Sequence, residues 1–263
     1  MKTNAIVRIV LYALLILILC GILVTVLGFD LFMTDTDSST SVNGAEAGVD
    51  AEDVKNLKIE WAAGSVTIVA SDTDQIVFSE SGSFTEKYSM VCSRKGDTLT
   101  IAYAKSSVTM GFGSSPSKNL TITVPKDWIC QELEVEGAAL EVEINGLTVR
   151  EFDIDGASNE IVFTGTLESL DCDGASCELT LNCLTKPKEI DLDGASIQLD
   201  LYLPAECGFL VQMDGLSCSF RSDLNYTNRN GDYLYGDGYC KVNADGLSCS
   251  ITVNPMPVVM ENE

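Results

Sequence analysis

Phe152-Asp-Ile-Asp-Gly-Ala-Ser158, Leu170-Asp-Cys-Asp-Gly-Ala-Ser176 and Ile190-Asp-Leu-Asp-Gly-Ala-Ser196 are one phrase written three times. Looser copies are Leu133-Glu-Val-Glu-Gly-Ala-Ala139, Val211-Gln-Met-Asp-Gly-Leu-Ser217 and Val242-Asn-Ala-Asp-Gly-Leu-Ser248. Their glycines, at 137, 156, 174, 194, 215 and 246, are separated by 19, 18, 20, 21 and 31 residues. A period near twenty is the signature of stacked structural units, each too small to bury its own apolar face.

Within a copy the apolar residues alternate at period two, which is the spacing of a strand and not of a helix. Counting from the glycine, positions −4 and −2 are apolar (Phe152/Ile154, Leu170/Cys172, Ile190/Leu192, Val211/Met213), and −3 and −1 are mostly acidic. Beyond the glycine, +3 and +5 and usually +7 are apolar (Cys177/Leu179/Leu181, Ile197/Leu199/Leu201, Cys249/Ile251/Val253). The inward parity therefore switches from even to odd across Asp-Gly, and a straight strand cannot do that. Each copy bends there, and the glycine is expected to supply a backbone conformation closed to other residues. An Asp-Gly hairpin would satisfy the switch. So would a corner between the parallel strands of a β-helix, and a corner is preferred because stacking of equivalent positions explains why Ala and Ser recur. Stacked in chain order, Asp155, Asp173, Asp193, Asp214 and Asp245 would form a column at the inter-strand spacing of ~4.8 Å.

The preceding region lacks the full phrase but contains strand patterns at Leu57–Trp61, Ser65–Val69, Gln75–Phe78, Thr98–Ala102 and Leu120–Val124, as an N-terminal capping unit would. Lys105 to Lys118 is Gly/Ser-rich and reads as an exposed loop. The 31-residue step contains Arg221 to Tyr239, with Tyr226, Tyr233, Tyr235 and Tyr239. Tyrosines on a polar insertion can form a recognition surface, and packing over a solenoid edge is the simpler expectation.

From Ile9 to Phe29 there are 21 residues without a charge. At 1.5 Å per residue they span the ~30 Å hydrocarbon layer as a helix. The run ends without a small-x-small cleavage site, and Leu19 is too large for a lipoprotein box before Cys20, so an uncleaved anchor is expected. Lys2 and Arg8 precede it and Asp30, Asp35 and Asp37 follow it, an asymmetry that leaves the N-terminus inside. The expected organisation is a cytoplasmic segment 1–8, a transmembrane anchor 9–29, a flexible stalk 30–50, an extracytoplasmic β-repeat domain 51–254 and a disordered tail 255–263.

The whole chain has 16 Lys+Arg, 39 Asp+Glu, no histidine and a formal charge of −23. Without histidine there is no Ser-His-Asp or Cys-His nucleophile and no H-E-x-x-H zinc site. Without clustered basic residues there is no electrostatic footprint for nucleic acid. The one candidate site is the acid ladder of Asp153, Asp155, Asp171, Asp173, Asp191 and Asp193, whose carboxylates lie on adjacent coils and could serve a hard cation such as Ca²⁺. The phrase lacks the later ligands of an EF-hand loop and the glycine-rich calcium nonapeptide, so solvated turn acids are the simpler reading and no resident cofactor is expected. A glycosidase needs two carboxyls in distinct environments, and a uniform ladder does not offer them, so no enzyme is expected. Nine cysteines follow the anchor; Cys177, Cys218 and Cys249 share the inward +3 position and Cys172 the inward −2 position, as small hydrophobes would.

Leu57-Lys-Ile-Glu-Trp-Ala-Ala-Gly-Ser-Val-Thr-Ile68, the Asp97–Ile101 and Leu120–Pro125 strands, and Tyr235-Gly-Asp-Gly followed by Val242 to Val253 resemble the adhesin-like family of bacterial envelope β-strand-repeat proteins, whose function is undefined. The resemblance covers roughly residues 52–254. It implies an all-β, β-helix-like (β-solenoid) ectodomain, often on a membrane anchor, and brings no catalytic residues. The expected function is adhesion or surface scaffolding by binding a glycan or protein along a flat sheet face. The alternative is an ectodomain that senses envelope state through a membrane partner.

Overall fold

The computed structural model describes residues 46–82, 89–103 and 117–257. The expected segments 1–8 and 9–29, most of the stalk 30–50, and the end of the tail lie outside the described residues. Among the described residues no helix is long and apolar enough to cross a membrane.

These residues are all-β apart from one 3-10 turn at Ala51–Asp53, and the strands form a single hydrogen-bonded sheet system. In chain order they are β1 (Glu46–Asp50), β2 (Asn56–Glu60), β3 (Ala63–Ser71), β4 (Gln75–Gly82), β5 (Val91–Lys95), β6 (Thr98–Ala102) and β7 (Lys118–Pro125). There follow β8 (Ile129–Cys183), β9 (Glu189–Leu203), β10 (Phe209–Asp214), β11 (Ser217–Arg221), β12 (Thr227–Arg229), β13 (Asp232–Tyr235) and β14 (Cys240–Pro255). Glu46–Asp50, expected to belong to a flexible stalk, instead pairs antiparallel with β4.

The repeats stack in parallel. Leu170, Cys172, Gly174, Cys177 and Leu179 on β8 face Ile190, Leu192, Gly194, Ile197 and Leu199 on β9. The bend is therefore the corner of a β-solenoid and not a hairpin. Ile154, Cys172, Leu192, Ile197, Leu199 and Leu201 are buried, and Asp155, Asp173, Asp193 and Gln198 are exposed. Alternation read on both sides of the glycine thus places the core between the two sheet faces of a flattened coil.

The corner glycines have a different reason from the one expected. None of Gly137, Gly156, Gly174, Gly194, Gly215 or Gly246 has a positive φ. What excludes a side chain is the neighbouring coil: a Cβ on Gly174 would lie 2.4 Å from the carbonyl oxygen of Gly156, and one on Gly194 2.5 Å from that of Gly174. Each glycine lets the next backbone settle against it. Gly194→Ala should push two coils apart at the corner and lower stability by about 1–3 kcal/mol, the usual range for overpacking. Chemical denaturation of the full-length chain measures it, and a neutral result would mean that the corners have slack.

The spatial order departs from the chain order at both ends. β14 lies between β9 and β10, pairing Asp245 with Asp193 on one side and with Asp214 on the other. The last two members of the expected acid column are thus exchanged. At the other end β2 and β3 pack on β8, while β6 and β7, later in sequence, form the outer layer on β2 and β3. Both outer layers are covered by antiparallel strands, β4 on β7, β5 on β6 and β13 on β10. At the C-terminal end Tyr226, Tyr233 and Tyr235 of the insertion pack against the core, while Tyr239 is exposed. Phe220 lies 4.9 Å from Tyr226 and 4.5 Å from Tyr233 between ring centroids, and Phe209 lies 5.5 Å from Tyr235. The insertion is a lid of aromatic side chains over the last coil, as the simpler expectation had it.

Candidate functional site

Strand alternation turns the −3 and −1 positions of every copy outward on one sheet face, and parallel register stacks them. The −3 column runs Asp171, Asp191, Asn243, Gln212 and the −1 column Asp173, Asp193, Asp245, Asp214. Gly156 stacks between Gly137 and Gly174, which sets Asp153 and Asp155 at the head of the two columns and Glu134 and Glu136 beyond them. All six sequence-predicted acids, Asp153, Asp155, Asp171, Asp173, Asp191 and Asp193, thus share one face.

The face relieves its own repulsion at Lys58 and at Asn243. Lys58, in register with Glu134, reaches Glu134 at 2.9 Å and Glu136 at 2.8 Å, with Glu60 at 3.8 Å. Burial alone would lower this amine, but hydrogen bonds and attraction from Glu136 and Glu134 hold it above its ordinary value. Asn243 donates to Asp191 at 2.6 Å, so an amide stands where the column would otherwise have a fifth carboxylate. Asp153 has neither kind of relief: partial burial, then the charges of Glu151, Asp171, Glu132 and Glu134, push its carboxyl up to about 6. Asp155, Asp171 and Asp193 are raised in the same way, by partial burial first and then by acids of the same and adjacent coils.

Among the described residues no three acidic or thiol side chains converge as a metal centre. The acids form a spread-out negative strip whose members stand one coil apart. An open depression on the other sheet face is lined by Ser65, Thr67, Glu141, Glu143, Glu160 and Val162, so that surface is acidic as well.

A carboxyl raised in the folded state is less comfortable ionised there than in the unfolded chain. Its unfavourable contribution is present above the folded pKa and disappears as pH falls to the unfolded value. Stability should therefore rise as pH is lowered through 6 to 5 and below, the window that opens at the raised Asp153 carboxyl. Asp153→Asn should raise the melting temperature at pH 7 by about 1–3 °C and flatten that slope, the size expected for under 1 kcal/mol in a domain of this length. A thermal melt series from pH 7.5 to 5 checks it, and a fall in stability across that window would contradict the assignment.

Sequence reasoning missed the other concentration of charge. Lys118, read as the end of an exposed loop, begins β7 and is fully buried. Its ammonium donates at 2.6 Å to Glu80 and at 2.6 Å to the carbonyl of Tyr103, under the rings of Trp61 and Tyr103. The missed signal was parity: Lys118 is in phase with Leu120, Ile122 and Val124, and Glu80 with Ile76 and Phe78.

A family model, Toastrack DUF4097, matches residues 54–205. No curated protein sequence matches the chain. Three similar solved structures are a "putative cell adhesion protein" from Clostridium sporogenes, a "putative adhesin" from Bacteroides fragilis and a "putative lipid binding protein" from Parabacteroides distasonis. They are 12%, 10% and 14% identical, with TM-scores of 0.49, 0.44 and 0.38. The matches cover 80%, 79% and 81% of this chain, and 98%, 95% and 96% of theirs.

Proposed function

The chain belongs to the Toastrack DUF4097 family, and from that premise we propose that it is a membrane-anchored surface protein whose extracytoplasmic solenoid binds a partner along its acidic sheet face. The observation that carries this reading is the face itself: two columns of carboxylates in register over successive coils, with partial neutralisation by Lys58 at one end. A rigid strip of evenly spaced negative charge suits an extended partner with matching positive or hydroxyl groups, a basic protein segment or a glycan. Such complementarity steers encounter more than it adds affinity. The apolar run Ile9–Phe29 behind Lys2 and Arg8 supports the anchor and its orientation.

Intact cells carrying the full-length chain test the reading in one experiment. Cell-wall and host-surface material should bind to them more than to cells lacking the protein, with weakening as salt rises from about 0.05 to 0.5 M. Protease added outside should remove both the binding and every epitope beyond residue 50, leaving the N-terminus intact. Binding unaffected by shaving, or by Asp171→Asn with Asp173→Asn, would overturn the proposal. Recovery of a stable membrane complex in place of a surface ligand would favour envelope sensing.

A further inference from the structure

The copy around Gly174 is the only one of the six with a thiol at both inward positions flanking its corner, Cys172 at −2 and Cys177 at +3. The same positions hold Ile154 and Asn159 one coil earlier, and Leu192 and Ile197 one coil later. The two sulfurs face each other across the corner at 3.3 Å, and both side chains are buried, 0% and 1% exposed. Beside them Asn159, itself 2% exposed, donates weakly to the Cys172 sulfur at 3.9 Å and to the carbonyls of Gly156 and Asp173 at 3.3 Å. Its own amide oxygen has no partner among the described residues. A core built only to exclude water would place Leu or Ile at these three positions, as neighbouring coils do.

We propose that Cys172 and Cys177 are an oxidisable dithiol that closes into a disulfide across this corner, the oxidant being a small-molecule or protein disulfide. Either cysteine can enter; taking Cys177, its thiolate attacks one sulfur of the oxidant and expels the other as a thiolate. Cys172 then gives up its proton and attacks the Cys177 sulfur of the mixed disulfide, expelling the second thiolate. One S–S bond is made and one broken, and the two protons lost by the cysteines end on the two thiols released. Closing the bond needs the sulfurs to approach from 3.3 Å to about 2.05 Å. Because the folded coil covers both, the exchange takes place before the coil closes or when it opens.

The test is made on the full-length chain and does not depend on where the protein resides. The reduced, denatured chain is refolded with oxidised and reduced glutathione, alkylated after denaturation, and cut before aspartates and after glutamates, which separates Cys172 from Cys177 at Asp173 and Cys177 from Cys183 at Glu178. The expected result is a cross-linked pair of these two peptides about 2 Da lighter than their reduced sum, lost on reduction and absent from Cys177→Ser. Both cysteines recovered alkylated, or either joined to a different cysteine, overturns the proposal. The wild-type mass decides the question by itself, even if the serine variant does not fold.

Discussion

Lys118→Met should lower the stability of the folded domain by about 3–5 kcal/mol, the range for removing one partner of a buried ion pair. The amine sits 2.6 Å from Glu80, with side-chain exposures of 0% and 2%, so water cannot take its place. Burial pushes the amine below its ordinary value while Glu80 pulls it up, which makes each charge dependent on the other. Glu80 also accepts from the Met90 backbone N–H at 3.0 Å, and Trp61 donates from its indole to the Lys118 carbonyl at 3.1 Å. Losing the amine therefore strands a carboxylate among groups arranged for a pair. The double change Lys118→Met with Glu80→Leu should recover much of the loss, because a buried pair replaced by apolar groups of similar volume is often neutral. Urea unfolding of the full-length variants measures both. A loss below about 1 kcal/mol for the single change would mean that water reaches the pair.

Ile197→Asp should cost several kcal/mol, whereas Gln198→Asp should stay within about ±0.5 kcal/mol. Ile197 is 2% exposed and stacks between Cys177 and Cys249 inside the coil. A carboxylate there has no counter-charge, so it must neutralise or open the coil. Gln198, one residue on, points outward beside Glu178 at 3.4 Å. A carboxylate at that position adds only a screened like-charge contact. Equal destabilisation by both changes would require both faces of the strand to be buried, contrary to the alternation seen in β9.

The in-and-out pattern was legible in the sequence because it depends only on period two. The parity switch at Gly174 already assigned Cys172 and Cys177 to the inside and Asp173 to the outside. The recurrence of the phrase called for stacking. The acid face was legible for the same reason, since outward positions of stacked copies must share a surface. The role of the corner glycines was not: φ cannot be read from composition, and the constraint comes from a carbonyl of the neighbouring coil.

The order of the stack belongs to the tertiary structure. Every copy offers nearly the same apolar edge, so Val242–Val253 could pack on any of them as well as between β9 and β10. What decides is the end of the solenoid: the aromatic hairpin of β12 and β13 fits over Phe209 and Phe220, and that makes their coil the last one. Lys118 and Glu80 belong to the same category. Alternation marks both as inward, but only the antiparallel register of β4 on β7 brings the two charges together. The sequence by itself determined which face each side chain takes, because that is local geometry. The structure decided which coils and charges become neighbours, because such pairings are set by contacts far apart in the chain.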